Sequence, residues 1–298
     1  MIKKEQGIID AHHHIWRMDR TPWLNGPPVS RIFGDYAPLR RDYSIAEYAE
    51  DARSNGVTKS VYIQVNVAPG DEAWEAQWAG EQGQQEGLVQ AVVSFADLAS
   101  PDVGDVLDRQ LACSPVRGVR QQLHWHSNPA YRFAKTPDGM LRPEWQRGLR
   151  ELVRRGLHFE LQVFQSQYAH ALALIDANPD VTFVLLHAGM PESLSGEAGA
   201  EWARGLSSFA VRPNVVTKIS GLGTFTRSCN VEEWRPIVEC AVDTFGPARC
   251  LFGSNFPIEK LWTSYAALIA VARTALSRYS ADEQLAVLHD TAARLYRI

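Results

Sequence analysis

A run of chemically versatile side chains lies close to the start of the chain, Asp10-Ala11-His12-His13-His14. It continues an apolar segment with the pattern of a β-strand, in which alternate side chains share one face. The alternation places Asp10, His12 and His14 on one face and His13 on the other. Two imidazoles on one face at the end of a strand form half of a metal site or a group that transfers protons. We therefore predict that His12 and His14 are functional.

A second polar group follows a strand candidate near the middle of the chain. Alternation puts four side chains on one face there, namely Arg120, Gln122, His124 and His126. If that face points inward, the group lines the mouth of a pocket opposite the first histidines. The guanidinium of Arg120 would then bind a carboxylate or polarise a carbonyl, because its planar fork of donors matches those oxygens.

One further cation, Lys218, lies within an apolar strand candidate, where an unpaired charge is costly. Two interpretations stay open for Arg120 and Lys218. They bind an anionic substrate, or they form internal salt bridges with Asp10 or Glu160.

Two long connections, residues 14–41 and 125–141, are rich in aromatic residues. Long loops inside a compact domain are usually functional or disordered, and the aromatic content favours function. Four tryptophans lie in these loops or just after strands: Trp16, Trp23, Trp125 and Trp262. They are candidates to wall a pocket against a flat ring or a sugar face, with core packing as the alternative.

Eight short apolar runs predict the strands that must position these side chains. They are Gly7–Ala11, Ser60–Val65, Gln90–Phe95, Gly118–Leu123, His158–Val163, Thr182–Leu186, Val215–Ile219 and Cys250–Gly253. Nearly continuous apolar runs are typical of parallel strands buried on both faces. Helical patterns fill the gaps between them. They cover residues 44–55, 72–85, 143–155, 167–178, 200–210, 231–245, 261–277 and 281–295, and one more begins at Ser100.

Eight strand–helix units in 298 residues favour one α/β domain over residues 1–298, a (β/α)8 TIM barrel. A doubly wound open sheet is the alternative, but no GxGxxG motif follows the first strand. In a barrel, both aromatic loops lie at the carboxyl ends of the strands, where active sites are built.

The composition excludes several classes of protein. A hydrophobic fraction of 45% is that of a globular chain, and a net charge of −4 leaves no basic surface for nucleic acid. No run of about 18 apolar residues predicts a membrane span, and the N-terminus lacks the apolar core of a signal peptide. The four cysteines form no CxxC pair, so we expect reduced thiols in a cytoplasmic protein.

Several motifs together resemble the amidohydrolase-2 group of the amidohydrolase superfamily. The first is Asp10-Ala11-His12-His13-His14-Ile15-Trp16 with Pro22-Trp23-Leu24. Later ones are Gly118-Val119-Arg120-Gln121, Phe159-Glu160-Leu161-Gln162-Val163, Leu186-His187-Ala188-Gly189, Lys218-Ile219-Ser220-Gly221-Leu222 and Phe252-Gly253-Ser254-Asn255-Phe256-Pro257. Their order along the chain is similar to that of the branch containing sugar-lactone and pyrone-dicarboxylate lactonases.

The resemblance implies a (β/α)8 barrel that hydrolyses a cyclic ester. Metal-dependent relatives carry a histidine or modified lysine late on the fifth strand and an aspartate after the eighth. This chain has Gln162 near the first position and Asn255 at the second. An amide takes no proton from water and is a weaker metal ligand than a carboxylate. The usual metal-plus-aspartate mechanism is therefore not expected here.

Other residues must then supply the chemistry. A catalytic zinc needs about three protein ligands. His12 and His14 are two, and Glu160 or His187 is the candidate third, so one divalent metal or none is expected. His187 is the first candidate for general base, since a pKa near 6.5 suits neutral conditions, and Asp97 is the second. Gln162 and the Arg120 group are candidates for substrate binding.

The sequence thus predicts a hydrolase that opens a small lactone, which carries a carboxylate if the pocket is positive. A metal-dependent decarboxylase of an aromatic or unsaturated acid and a non-catalytic ligand-binding barrel are the alternatives. The expected partner is a small molecule, with neither nucleic acid nor membrane, and a homo-oligomer stays open.

Overall fold

The apolar runs form eight parallel strands of one sheet, whose order follows the chain from β1 to β8. A computed structural model describes residues 6–298. The strands are β1 Ile8–His13, β2 Val57–Ile63, β3 Val89–Ser94, β4 Val116–Val119, β5 His158–Leu161, β6 Phe183–Leu185, β7 Val215–Ile219 and β8 Cys250–Phe252. The end of β8 returns to β1, where the amide of Asn255 donates to the carbonyl of His12 (2.7 Å). The predicted (β/α)8 barrel is confirmed.

Helices follow the strands and cover the outside of the barrel. They are α1 Pro22–Asn25, α2 Ile45–Arg53, α3 Glu72–Glu86, α4 Val103–Cys113, α5 Pro143–Arg154, α6 Tyr168–Asp176, α7 Gly196–Ala210, α8 Val231–Phe245, α9 Tyr265–Ala275, α10 Ala281–Leu285 and α11 Thr291–Tyr296. A single helix was expected over residues 281–295, but a π-helical turn at Ala286–Asp290 separates α10 from α11. Within residues 6–298, every helix is too short or too polar to cross a membrane.

A β-bulge in β1 decides which of its side chains face the cavity. Asp10 pairs with Ser60 but His13 pairs with Tyr62, so β1 has an extra residue in this interval. As a consequence, the ring of His13 stacks on Tyr48 of α2 at 3.8 Å. The carboxylate of Asp10 lies on the same side, toward the helices. The prediction that Asp10 shares a face with His12 and His14 is therefore wrong, because the bulge breaks the alternation.

Asp10 instead joins the two strands at which the barrel closes. Its carboxylate accepts hydrogen bonds from the amide (2.8 Å) and hydroxyl (2.6 Å) of Ser254 after β8. The hydroxyls of Tyr48 (2.9 Å) and Tyr265 (2.9 Å) donate to it from α2 and α9. Asp10 is fully buried, so these donors replace water around its charge. This network fixes the end of β8 beside the end of β1, where the candidate site lies.

Candidate active site

A cavity at the carboxyl ends of the strands brings together residues that are far apart in sequence. Its space between atoms is about 570 Å³, including the opening to solvent. Eight of the residues singled out from the sequence for chemistry or binding line it: His14, Trp16, Trp23, Arg120, Gln122, Gln162, His187 and Asn255.

Three imidazoles meet at the base of this cavity. The ring of His12 lies 5.1 Å from that of His14 and 5.0 Å from that of His187, measured between centroids. Nδ1 of His14 donates to the carbonyl of Ile63 (2.7 Å), and Nδ1 of His187 donates to the carbonyl of Ser220 (3.0 Å). These bonds select the tautomer in which Nε2 carries a free lone pair. Both Nε2 atoms can therefore accept a proton or a hydrogen bond.

The imidazoles are uncharged. Burial, and then the charge of Arg120, lowers the pKa of His187 to about 3 and that of His14 well below its usual value. The residue type alone predicts a pKa near 6.5 for His187, and the pKa is lower because the ring is buried beside a cation. At neutral pH the ring of His187 is therefore uncharged, with a lone pair on Nε2 that is less basic than that of a free imidazole.

Arg120 is a buried cation that lines this cavity, with only 4% of its surface exposed. Its guanidinium donates to the carbonyl of Gln64, and its Nε is buried without a hydrogen-bond partner. A buried donor without a partner is costly unless a ligand satisfies it. Arg120 is therefore available to an oxygen atom of a substrate.

Three residues that line the cavity adopt left-handed backbone conformations. They are Asn66 (φ 58°), His187 (φ 55°) and Asn255 (φ 56°). Asparagine tolerates this region, but histidine rarely adopts it, and such strain concentrates at functional sites. The sequence carried no signal for these left-handed conformations, because glycine is the residue that ordinarily marks such a position.

We predict that Gly221→Ala lowers kcat by about 100-fold, because it displaces the imidazole of His187. Gly221 has φ +60°, and a Cβ there would lie 2.7 Å from Nδ1 of His187. The matched control is Gly87→Ala, where φ is +70° but no atom lies within 4 Å of the new Cβ. Both variants carry the same backbone strain, so equal kcat values in the two would contradict a positioning role for Gly221.

Lys218 and Glu160 do not line the cavity. Nζ of Lys218 lies 2.8 Å from Oε1 of Glu160, and both side chains are fully buried. The hydroxyl of Tyr296 donates to the same carboxylate oxygen (2.6 Å). Burial is the largest single influence and opposes the ionisation of Glu160, but Lys218 and His158 together outweigh it and lower the pKa of the carboxyl to about 2. Lys218 as a substrate-binding residue and Glu160 as a metal ligand are thus corrected to the internal salt bridge that was the alternative.

The segment after β4 differs from the predicted strand. β4 ends at Val119, and the following loop makes its own hydrogen bonds, including two to the carbonyl of His124. Arg120 and Gln122 still reach the cavity, whereas His124 packs between aromatic rings beside it. His126 turns toward Glu192, at 3.4 Å. The predicted alternation is wrong beyond Gln122, because no strand continues there.

Trp125 and Asp97 also lie outside the cavity. The guanidinium of Arg132 covers the ring of Trp125 at 5.0 Å. Asp97 is exposed, accepts a hydrogen bond from Gln121 (3.0 Å) and lines a larger neighbouring cavity. The two cavities share a wall made by Asn66 and Gln122, whose side chains are hydrogen-bonded to each other (2.7 Å).

Some residues of the cavity were not identified as functional from the sequence. Besides Asn66, they include Arg31, Phe33 and Thr224. Arg31 and Phe33 lie in the long loop after β1. The sequence predicted the position of this loop, but a loop has no periodic pattern that shows which side chains point inward.

The possible metal donors at the base of the cavity are imidazoles, and among the described residues no Asp or Glu lines the cavity. His12, His14 and His187 converge, but Glu160 is held by Lys218, and Asn255 offers a neutral amide. Across residues 6–298, no group of three or more His, Cys, Asp or Glu side chains has the arrangement of a metal site. A catalytic zinc requires about three such ligands, so the chemistry below is derived from side chains alone.

The comparisons with known proteins agree with this architecture. The family model described as amidohydrolase matches residues 9–298. The uncharacterized protein y4mH of Sinorhizobium fredii is 36% identical over 294 residues, covering 98% of each chain. L-fucono-1,5-lactonase of Burkholderia multivorans is 29% identical over 303 residues, covering 97% of this chain and 96% of the relative.

A crystal structure with bound zinc extends the likeness to three dimensions. It is an amidohydrolase from Burkholderia multivorans, 28% identical, with a TM-score of 0.81 over 98% of this chain and 99% of the other. A divalent metal therefore occurs among structures of this family. The ordered motifs, the barrel and the family match lead to one conclusion: the chain belongs to the amidohydrolase family and is a hydrolase.

Proposed function

We propose that this chain opens a small lactone by adding water to its carbonyl carbon. One arrangement supports the proposal above all others: two neutral imidazoles with free Nε2 atoms face the buried guanidinium of Arg120. Among the described residues, those that line the cavity include no Asp or Glu. A base beside a cation, with no competing carboxylate, suits attack by water on a carbonyl group.

In the proposed reaction, Nε2 of His187 takes a proton as water attacks. The carbonyl oxygen becomes negative. The guanidinium donors of Arg120 and the side-chain amide of Asn255 stabilise that charge. The bond between the carbonyl carbon and the ring oxygen then breaks, and His187 returns its proton to the ring oxygen. The product is a hydroxy acid, which releases one proton to water at neutral pH.

The sugar-lactone relatives favour a hydroxylated substrate. L-fucono-1,5-lactonase is the name given to proteins 29% and 28% identical to this chain. Besides Asn255, the cavity presents three amide side chains, Asn66, Gln122 and Gln162, each of which can donate and accept hydrogen bonds. Trp16 and Trp23 add flat apolar surface. We propose that the amides bind hydroxyl groups while the indoles contact the ring.

The proposal is tested by a pH-indicator screen of sugar, muconate and pyrone lactones with the purified protein. We expect release of one proton for each lactone ring opened. Bicarbonate formed from an aromatic acid, with no lactone opened, would favour the decarboxylase alternative. Binding of a lactone without turnover would indicate a non-catalytic barrel.

We expect chelation to leave this activity largely intact, because Asn255 offers a neutral amide where metal-dependent relatives carry a charged aspartate ligand. The activity of the protein is measured before and after dialysis against EDTA. Asn255→Asp, which replaces an amide by a charged oxygen ligand, should tighten zinc binding measured by calorimetry. A tightly bound metal in the unmodified protein, whose removal abolishes turnover, would contradict this expectation.

A further inference from the structure

The loop after β1 carries a cation to the mouth of the cavity. Arg31 lines the cavity, and its Nε is buried without a hydrogen-bond partner. Across residues 6–298, its guanidinium forms no ion pair, and burial lowers its pKa. A largely desolvated cation with no counter-charge is costly, so the position favours an anion that arrives with the ligand.

Arg31 is held in place before any ligand arrives. Its guanidinium covers the ring of Trp23 at 5.0 Å, and the indole of Trp23 donates to the carbonyl of Val65 (2.8 Å). The hydroxyl of Tyr36 donates to the carbonyl of Trp23 (3.2 Å) and accepts from the amide of Val29 (3.0 Å), which ties the two sides of the loop together. Because the loop is ordered by these bonds, little entropy is lost when Arg31 binds an anion.

The two arginines lie at different depths. The charge of Arg120 lowers the pKa of His14 and of His187, so Arg120 lies beside the reacting centre. Arg31, in contrast, is only partly buried and lies in the loop after β1. A ligand that meets both must therefore have an electron-rich oxygen near the imidazoles and a negative group closer to the rim.

We propose that Arg31 binds a carboxylate of the substrate at the rim of the cavity, while Arg120 contacts the lactone carbonyl. This inference rests on the proposed function and narrows its substrate class to lactones with a carboxylate substituent. A guanidinium binds a carboxylate through two parallel hydrogen bonds, which fixes orientation as well as charge. Arg31 is thus the residue that distinguishes an acidic lactone from a neutral one.

The kinetic test compares one carboxylated lactone with its neutral methyl ester. Loss of a charge-assisted hydrogen bond in Arg31→Met should raise KM for the acid by about 10- to 100-fold and leave KM for the ester unchanged. The matched control is Arg227→Met. The guanidinium of Arg227 packs against Gly34 of the same loop, but it does not line the cavity. Arg227→Met removes the same charge from the protein but no group from the cavity. Its KM for the acid should therefore stay near that of the unmodified protein.

Two kinetic outcomes would overturn the proposal: an equal rise in KM for acid and ester, or an equal effect of Arg227→Met. A binding measurement separates this inference from the lactonase proposal. Tetrahydrofuran-2-carboxylate has no ester bond to hydrolyse, and we expect calorimetry to show that it binds the unmodified protein and not Arg31→Met. That result would support carboxylate binding by Arg31 even if no lactone is turned over. Equal binding by the two proteins, or no binding by either, would refute it.

Discussion

His187→Asn is expected to lower kcat for lactone opening by about 10²- to 10⁴-fold, the usual loss when a general base is removed. Asparagine retains a polar side chain but cannot take a proton from water. The geometry supports this role, since Nδ1 of His187 is anchored on Ser220 and Nε2 is left free toward the cavity. The measurement is steady-state proton release by the variant and the unmodified protein.

The control for this variant is His289→Asn. His289 lies in the π-helical turn before α11 and contacts Asp290, away from the cavity. The kcat of His289→Asn should match that of the unmodified protein. If His187→Asn retains full kcat while its fold is intact by circular dichroism, His187 is not the base, and His14 becomes the candidate.

The second large effect concerns stability. Lys218→Met should lower the free energy of unfolding by about 3–5 kcal/mol, the usual cost of leaving one partner of a buried ion pair uncompensated. The carboxylate of Glu160 would then keep only Tyr296 and His158 near it, at 2.6 Å and 3.6 Å. Urea unfolding followed by tryptophan fluorescence measures the loss.

Two further variants identify the cause of the lost stability. The double variant Lys218→Met with Glu160→Gln removes both charges, so it should recover much of the stability. Lys260→Met breaks a half-exposed pair with Glu47 and Asp51, each at 2.9 Å, and should cost less than about 1 kcal/mol. A double variant as unstable as Lys218→Met alone would show that the loss comes from packing and not from an unpaired charge.

The barrel was predictable because buried parallel strands leave a continuous apolar signal. The predicted β7 matches the observed Val215–Ile219, and β8 differs by one residue. The places of His14 and His187 followed from this frame, because each comes at the carboxyl end of a strand. Arg120 reached the cavity for the same reason, one residue beyond β4.

The remaining differences have physical causes that a pattern of residue types does not contain. A bulge in β1 turned Asp10 toward the helices, and β4 ended before His124 and His126 could share its alternation. Lys218 looks the same in sequence whether it meets a substrate or Glu160, because pairing depends on the distance across the barrel. Arg31 lies in a loop with no period, so its inward position depends on tertiary contacts.

The most direct test of the central claim is hydrolysis of a lactone in water enriched in ¹⁸O, followed by mass spectrometry of the product. If water attacks the carbonyl carbon, one ¹⁸O enters the new carboxylate and the new hydroxyl keeps the original ring oxygen. Label in the hydroxyl would mean that water attacks the other carbon of the ester bond. That result would contradict the proposed roles of His187 and Arg120.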